Sequence, residues 1–596
     1  MRCDERRWDT QPYTAIHSTI AAHTYPHTLR RTKTDSEDEL LLKMAEELGI
    51  MVPNMVPPAD ASPIIEILEV LCGVEETVVR TAAVAALSLI IPHMYDHNGA
   101  AVSGADGSLV NLVTRLCGSE WFTGRVSACG LFGSVYKGCS FENKTELRRL
   151  FGTMAEDETP MVRRGAAKGL PSFIIAAGAN SSDVLDDLVP IYKKLASDEQ
   201  DSVRTIAVGA VSSLGLAVKN AGECYAQVFP QFRNGAQDRS WRVRHAVATT
   251  FTTDLLSLGF ADAQLTEMVL CYADLLKDGE AEVRGSAVSA MSSMVEAVGE
   301  TLFQDHIAEC LDDLSKDPVM ECRSKLAQAV MNTIALEAPA KLTDDTVLTH
   351  FQPLIEGLLT SADEADEVKI HILRMLPAMA SLLSNMDDTV AVVKTLSKYD
   401  ANWRVRECVA LVLPALANAN GIGPFSDGTN SFLNIYLALL QDPVASVRAA
   451  TVSGVHKLYE AACAEEASKG ASWVQKSIID PIKPTYDGSL FYTTRVTILA
   501  LYATLCPDDA TPKALLEEIV GLLLSALDDP VTNVRTSAAE HLVGIVGFCN
   551  DALIAGEIRP KIMKVGETID LDKNDEFDKD QDMRGFLKKL VVCMDS

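Results

Sequence analysis

The hydrophobic pattern of this chain is a pair of amphipathic helices that recurs along the sequence. Near residue 201, one apolar stripe with helical spacing precedes an acidic turn and a second stripe follows it. The second stripe consists of Val203, Ile206, Ala207, Ala210, Val211 and Leu214. Because residues three, four and seven apart lie on one face of a helix, the pattern predicts two antiparallel helices joined by a short turn.

The turn carries a repeated phrase, which is an acid, a short polar or proline-containing stretch, and then Val-Arg. It reads Asp-Glu-Gln-Asp-Ser-Val-Arg at 198–204 and Asp-Pro-Val-Ala-Ser-Val-Arg at 442–448. Successive basic residues are 37 to 47 positions apart in the series Arg80, Arg125, Arg163, Arg204, Arg244, Arg284, Arg323, Lys369, Arg406, Arg448, Arg495 and Arg535. A period of about 40 residues with two helices per unit is typical of HEAT or armadillo repeats. We therefore predict an all-α HEAT-repeat solenoid of about 14 repeats over residues 35–596.

The recurrent acid and arginine have a structural interpretation. An aspartate or serine in the turn can accept hydrogen bonds from the first N–H groups of the next helix, and a negative charge suits that end of the helix dipole. The arginine can pair with the acid of its own repeat or of the adjacent repeat. We expect capping and bonding between repeats to be the role of most of these residues.

Composition excludes several functional classes. The chain has 596 residues and a formal net charge of −29, and 47% of its residues are hydrophobic but only 6% aromatic. Binding to a nucleic-acid backbone needs concentrated Lys and Arg, so we expect no nucleic-acid partner. No apolar stretch approaches about 18 uninterrupted residues, so we expect no membrane partner. The 14 cysteines include no Cys-x-x-Cys pair, which indicates reduced thiols and a cytoplasmic or nuclear location.

Residues 1–34 differ from the repeats. They contain six basic residues and three acids, are rich in Thr and His, and lack a long apolar segment. They are therefore not a secretory signal, and the early acids argue against a mitochondrial presequence. We interpret them as a disordered N-terminal arm or a divergent first repeat.

The sequence predicts no catalytic, cofactor or metal site. His93 and His97 flank a proline, with no acid or cysteine at ligand spacing. The acidic stretch from Asp570 begins like a calcium loop, but Asp575 and Gln581 occupy the positions that require Gly and Glu. Dinucleotide, nucleoside-triphosphate and nucleophile-elbow motifs are also absent. We therefore expect a protein that is not an enzyme.

Large aromatic residues stand in several turns where the repeat otherwise has small polar residues. They are Trp121 with Phe122, Trp241 beside Arg242, Trp403 beside Arg404, and Tyr492. Trp, Tyr and Arg are the residue types that dominate binding hot spots. Packing beneath the next repeat is the alternative. The pattern favours successive turns that line one edge of the solenoid and dock other proteins.

Several turns closely resemble the scaffolding A-subunit family of protein phosphatase 2A. The resemblance covers roughly residues 36–596 and rests on the segments 74–80, 121–132, 159–164, 197–204, 240–244, 402–406 and 529–535. It implies an elongated, curved horseshoe whose first repeat is missing here or replaced by residues 1–34. It also implies a heterodimer or heterotrimer rather than a homo-oligomer.

The resemblance implies a role for individual turn residues. In the family, the amino-terminal turns hold interchangeable regulatory B-type subunits, which here implies Glu75, Glu76, Trp121, Phe122, Pro160, Met161, Arg163, Arg164, Trp241 and Arg242. The carboxy-terminal turns hold the serine/threonine phosphatase catalytic subunit, which implies Trp403, Arg404, Val444, Tyr492, Arg495, Val531 and Asn533. The expected function is a non-catalytic scaffold that raises the effective concentration of one subunit for the other.

Two alternatives come from other classes. An importin-type nuclear-transport receptor is also an acidic HEAT solenoid, but it should carry an acidic loop insertion and Trp–Asn pairs along an inner helix, and neither is evident. An enzyme built on HEAT repeats would need paired His-Glu metal sites, and the sequence has none.

Overall fold

The computed structural model describes residues 34–95, 105–178, 183–218, 221–251, 253–256, 258–336, 342–361, 363–379, 386–398, 401–425, 431–465, 470–489, 491–506, 513–569 and 581–595. The interpretation of residues 1–34 as an atypical arm, except for Thr34, lies outside these ranges. So do His97 and the acidic stretch that begins at Asp570.

The chain folds into two compact units, Met1–Cys310 and Leu311–Ser596. The prediction of an all-α HEAT-repeat fold is confirmed, because helix pairs follow one another through both units. The helices of the first unit are Thr34–Met55, Ser62–Leu71, Thr77–Ile90, Ala105–Cys117, Phe122–Cys129, Phe132–Tyr136, Phe141–Ala155, Pro160–Ala177, Val189–Ala196, Asp201–Val208, Val211–Val218, Ala221–Ala236, Trp241–Ala248, Thr253–Leu256, Asp262–Leu276, Ala281–Ser289 and Met291–Leu302.

The second unit repeats the same arrangement, and helix Ala308–Ser315 contains the division between the units. Its further helices are Met320–Ile334, Gln352–Thr360, Asp366–Met379, Met386–Leu396, Trp403–Asn420, Phe432–Leu439, Ala445–Ser453, Val455–Glu465, Gly470–Val474, Asp480–Gly488, Tyr492–Thr504, Lys513–Ala526, Thr532–Ile545, Arg559–Ile569 and Gln581–Asp595. In most pairs, the second helix begins at the acidic turn that the sequence pattern identified.

In five repeats, the first helix of the pair contains a wide π-helical turn near its start, which the sequence pattern did not predict. These turns are Val184–Leu188, Phe303–Ile307, Val347–Phe351, Gln475–Ile479 and Ile554–Ile558. In four cases a proline is the second residue of the helix that follows, at Pro190, Pro353, Pro481 and Pro560. Proline has no N–H to donate and its ring collides with the carbonyl four residues earlier. A wider turn removes that collision and lets the helix continue.

Buried aromatic side chains fill the space between the paired helices. In the first unit, the rings of Phe132, Phe151 and Phe173 lie 4.8 to 5.6 Å apart, and Phe173 also contacts Tyr136 edge-on. The hydroxyl of Tyr272 donates to the carbonyl of Ala287 at 2.7 Å and so joins the two helices of one repeat. These contacts hold the paired helices against each other.

The helical segment Thr77–Met94 has the length and composition of a membrane span. The bent pair Asp201–Val208 and Val211–Val218 has them as well. Both segments are second helices of repeats, and Arg80 inside the first is only 9% exposed. Core helices of repeat proteins have the same composition, so neither segment indicates a membrane.

Candidate docking surface on the inter-helix turns

An arginine–acid ladder joins the successive turns of the first unit. Arg204 donates through Nη1 to the carbonyls of Asp198 and Glu199 in its own turn, at 2.8 and 3.1 Å. Its Nε and Nη2 donate to the carboxylate of Asp238 in the next turn, at 2.7 and 2.8 Å. The same arrangement joins Arg125 to Asp157, Arg163 to Asp198, and Arg244 to Asp278. The arginine therefore pairs with the acid of the adjacent repeat, which settles the alternative that the sequence left open.

Each ladder aspartate also shapes its own turn. Oδ1 of Asp238 accepts the backbone N–H of Ser240 at 2.8 Å, and Asp157 accepts that of Thr159 at 2.8 Å. Burial alone would raise the pKa of Asp238, but the bonds from Arg204 and from the Ser240 N–H outweigh it and lower the pKa. The balance is the same for Asp157 and Asp278. Ser240 and Thr159 are the N-cap residues of their helices, and neither helix start receives a side-chain cap bond. The aspartates therefore stabilise the turn just before the helix, so the expected bonding between repeats is confirmed but the expected capping by these acids is wrong.

The second unit has its own ladder. Arg323 binds Glu364 through Nε and Nη2 at 2.7 and 2.9 Å, and Arg406 binds Asp442 at 2.7 and 3.1 Å. Arg495 reaches Asp529 at 2.9 Å. Because these two-point contacts are directional, each of them holds the two turns that it joins side by side. We call the surface formed by residues 74–79, 119–124, 157–162, 198–203, 238–243 and 278–283 the first turn ridge. Its counterpart in the second unit, residues 317–321, 363–367, 401–404, 442–446, 489–493 and 529–533 without the undescribed Leu490, is the second turn ridge.

The first turn ridge exposes large apolar side chains. Trp121 is 62% exposed, and Phe122 and Met161 are also exposed. Val78 is exposed at the equivalent place, although the sequence analysis missed it because valine is common in the repeat. Val78 is the second residue of its helix, and this position at the turn could have indicated its exposure from the sequence.

The predicted residues of the first ridge fall into three groups. Glu75, Glu76, Arg164 and Arg242 are exposed, whereas Pro160 and Trp241 are half-buried. The guanidinium of Arg242 lies over the Trp241 ring at 4.9 Å. The side chain of Arg163 is only 11% exposed, because it is held in the ladder by Asp198. Among the two neighbouring arginines, Arg164 is thus the one that faces solvent.

The second turn ridge has a similar character. Trp403 is 40% exposed, with the guanidinium of Arg404 5.5 Å from its ring centre, and Tyr492 and Asn533 are also exposed. Val444 and Val531 are half-buried helix caps. Arg495 is a ladder residue with a side chain only 12% exposed.

Three further apolar residues of the second ridge are exposed, although the sequence pattern did not predict them: Val319, Met320 and Phe491. Val319 and Phe491 are helix caps, and Met320 is the first residue of its helix. Val319 and Phe491 correspond to Asn402, the cap of its helix, and Met320 corresponds to Trp403, the first residue of that helix. Alignment of the helix starts would therefore have found all three.

Acidic residues surround the apolar ones on the first ridge. Glu120, Glu158, Glu199 and Glu280 are exposed in four of the turns, whereas the turn at 238–243 exposes Arg239 and Arg242 instead. The surface therefore combines exposed apolar side chains with negative charge, which suits a partner that presents apolar residues within a basic surface.

The described residues offer no evident catalytic chemistry. Within them, no group of three or more His, Cys, Asp and Glu side chains could hold a metal ion. Burial raises the pKa of the Cys72 and Cys117 thiols to about 12, so these thiols are poor nucleophiles. The turn ridges are the chemically distinctive surfaces.

Comparison with known proteins confirms the resemblance seen in the turns. Residues 262–337 match the family model described as PPP2R1A-like HEAT repeat. The chain is 34% identical over 220 residues to the regulatory A-type chain of protein phosphatase PP2A from Schizosaccharomyces pombe, covering 36% of each protein. It is 31% identical over 344 residues to the beta isoform of the human 65 kDa regulatory A-type chain of serine/threonine-protein phosphatase 2A, covering 57% of this chain and 54% of the relative. The matches thus span about a third to a half of these relatives.

Solved structures of transport proteins share the fold. Kap95p in a structure of its binding to RanGDP has a TM-score of 0.56 and 12% identity, and the match covers 98% of this chain and 72% of that one. Kap121p bound to Pho4p has a TM-score of 0.51 and 12% identity, covering 95% of this chain and 60% of that one. At this identity the likeness indicates the HEAT-repeat fold alone and does not favour the importin alternative.

Proposed function

We propose that this chain is a non-catalytic scaffold subunit of a protein phosphatase 2A-type serine/threonine phosphatase. The proposal rests on one observation above all, which is that hot-spot residue types are exposed on turns held in register by the ladder. The relatives, which are named as regulatory A-type chains of this phosphatase, support the same assignment. A scaffold needs a rigid, regularly spaced surface, and the ladder supplies that rigidity.

Each ridge binds a different partner in this proposal. The first turn ridge docks an interchangeable regulatory subunit through Trp121, Phe122 and Met161, with exposed acids around them. The second turn ridge docks the catalytic subunit through Trp403, Arg404 and Tyr492. Truncating an aromatic anchor at such a surface typically costs more than about 2 kcal/mol of binding free energy.

The chain itself performs no chemistry in this proposal. It raises the local concentration of the regulatory partner near the phosphatase, which increases the occupancy of the complex without any new contact between them. We place it in the cytoplasm, with the nucleus as a second location, where its thiols stay reduced.

Co-purification with mass spectrometry tests the proposal. The wild-type chain should recover a phosphatase catalytic subunit, and Trp403→Ala/Arg404→Ala should reduce that recovery at least about tenfold. Leu411→Ala is the matched control, because Leu411 is 53% exposed on the same helix but lies outside the turn. It should bind like the wild type.

A second pair of variants tests the division between the ridges. Trp121→Ala/Phe122→Ala should lose the regulatory partner and keep the catalytic one, whereas the control Ile175→Ala, also exposed but away from the turns, should keep both. Recovery of transport cargo or a small GTPase by the wild type, without a phosphatase, would reject the scaffold and favour the importin alternative.

A further inference from the structure

One position of the second ladder has a serine in place of the acid. Asp442 and Asp529 each lie six residues before the arginine that binds their carbonyl, and Ser489 lies six residues before Arg495. Ser489 makes the other contacts of a ladder acid. Its carbonyl accepts from Arg495 Nη1 at 2.7 Å, and its hydroxyl oxygen accepts the N–H of Phe491 two residues on, at 3.2 Å. Only the carboxylate is missing.

The arginine of the preceding turn, Arg448, lacks the counter-ion that this acid would supply. Its Nη1 binds the carbonyls of Asp442 and Pro443 at 2.6 and 3.0 Å, as in the other rungs. Its Nε donates to the Thr497 hydroxyl at 3.0 Å instead of to a carboxylate. Thr497 belongs to the helix that begins just after Ser489. The half-buried Arg448 therefore contacts the helix that follows Ser489, at a threonine hydroxyl rather than at an acid.

The first ladder contains a second copy of this arrangement. Ser119 lies six residues before Arg125 and accepts from its Nη1 at 2.9 Å. In the turn before it, Arg80 donates to the Val74 carbonyl and the Thr77 hydroxyl, and no acid pairs with it among the residues that the structure describes. Burial lowers the pKa of Arg80, whereas the bond to Asp157 raises that of Arg125.

Both serines precede a turn with two exposed aromatic residues. The sequences are Ser-Glu-Trp-Phe at 119–122 and Ser-Leu-Phe-Tyr at 489–492, and all four aromatic side chains are exposed. A neutral residue thus replaces the ladder acid beside the most aromatic turns of the two ridges.

We propose that Ser489 is a phosphorylation site whose phosphate completes the ladder rung with Arg448. A protein kinase would transfer the terminal phosphoryl group of a nucleoside triphosphate. The Ser489 oxygen forms a bond to phosphorus, the bond to the departing nucleoside diphosphate breaks, and the hydroxyl proton passes to a base of the kinase. Ser119, in the turn after Arg80, is the equivalent site of the first ridge.

Phosphoserine chemistry matches the position of the missing acid. The group carries a charge of about −1.5 to −2 and three acceptor oxygens, and two of them can bind Nε and Nη2 of one guanidinium as the ladder carboxylates do. The start of helix Tyr492–Thr504 also favours a negative charge at this place. The modification would order the turn that presents Phe491 and Tyr492, so phosphorylation would regulate docking on the second ridge.

Phosphoserine installed genetically at position 489 of the full chain tests the geometry. Its second pKa, followed by ³¹P NMR titration, should lie about one pH unit below that of phosphoserine at Ser525. Ser525 is an exposed serine in the last turn of helix Lys513–Ala526, so it serves as the control. Arg448→Met should remove most of the difference and leave only the part that the two helix ends contribute. Equal pKa values at the two positions would overturn the proposal.

Two further measurements keep the proposal falsifiable if a variant folds poorly. Ser489→Asp should melt at a higher temperature than Ser489→Asn only when Arg448 is present, and an equal difference in the Arg448→Met background would contradict the rung. Phosphopeptide mapping of the chain isolated from its own cells under phosphatase inhibition should find phosphate on Ser489. A fully unmodified peptide would reject the site while leaving the proposed scaffold function intact.

Discussion

A buried tyrosine recurs in the first helix of several repeats, but its hydroxyl is hydrogen-bonded in some repeats and not in others. Tyr272 and Tyr436 each lie in the first helix of a repeat and donate to a carbonyl 15 residues later, Ala287 and Thr451 respectively. Tyr192 is equally buried, but its hydroxyl has no hydrogen-bond partner among the residues that the structure describes. A buried hydroxyl without a partner costs free energy, whereas a bonded one contributes to stability.

This contrast gives a matched pair of substitutions. Tyr272→Phe should lower the free energy of unfolding by about 1 kcal/mol, because a buried hydrogen bond is lost. Tyr192→Phe should leave it unchanged or raise it by up to about 1 kcal/mol, because an unpaired polar group is removed. Urea unfolding of the full chain measures both. Equal losses in the two variants would show that the hydroxyl of Tyr192 is satisfied in solution.

At the scale of helices and turns, the ladder is the main connection between neighbouring repeats on the ridge side. In the first unit, a second set of ion pairs joins the first helix of one repeat to the first helix of the next. Examples are Arg233 with Glu267 and Lys277 with Glu309. The side chains of these pairs are about half exposed, so solvent screens them. The ladder pairs are largely buried and bind through two bonds.

Removing one member of each kind of pair should separate them. Arg204→Met leaves the carboxylate of Asp238 poorly compensated and should cost about 1–3 kcal/mol of unfolding free energy. Arg233→Met, which removes an exposed pair joined at 3.4 Å, should cost less than about 1 kcal/mol. Chemical denaturation measures both variants. A larger loss for Arg233→Met would contradict the ladder's role.

The sequence predicts the helices and the ladder better than the exposed surface. The period and the Asp and Arg positions follow from spacing, since the same contacts must form in every repeat. The roles of Arg163 and Arg164 could not be told apart, because only the three-dimensional turn decides which guanidinium faces the next acid. The π-helical turns at Pro190 and Pro481 depend on how a whole helix accommodates a missing N–H.

At the scale of the whole molecule, each unit is a series of similar connections rather than one central core. The stability of such a chain is close to a sum of repeat and nearest-neighbour terms. A small effect at every rung therefore adds up along the chain. The pKa values of Asp157, Asp238 and Asp278 are all lowered by their ladder bonds, so these rungs should respond to acid together.

The direction of the response follows from the lowered pKa values. Unfolded aspartate has a pKa near 3.8, so above that value the unfolded chain is also ionised and the rungs contribute their full stability. As the pH falls below about 4 towards the lower folded pKa, the unfolded state takes up protons first, and the contribution is lost. Amide hydrogen exchange of Ser240, whose N–H binds Asp238, should report lower protection at pH 3 than at pH 5. The variant Asp238→Asn keeps an oxygen acceptor for this N–H but cannot ionise. In this variant, the protection of Ser240 at pH 5 should be lower than in the wild type and should depend little on pH. A pH dependence equal to that of the wild type would assign the acid response to groups outside the ladder.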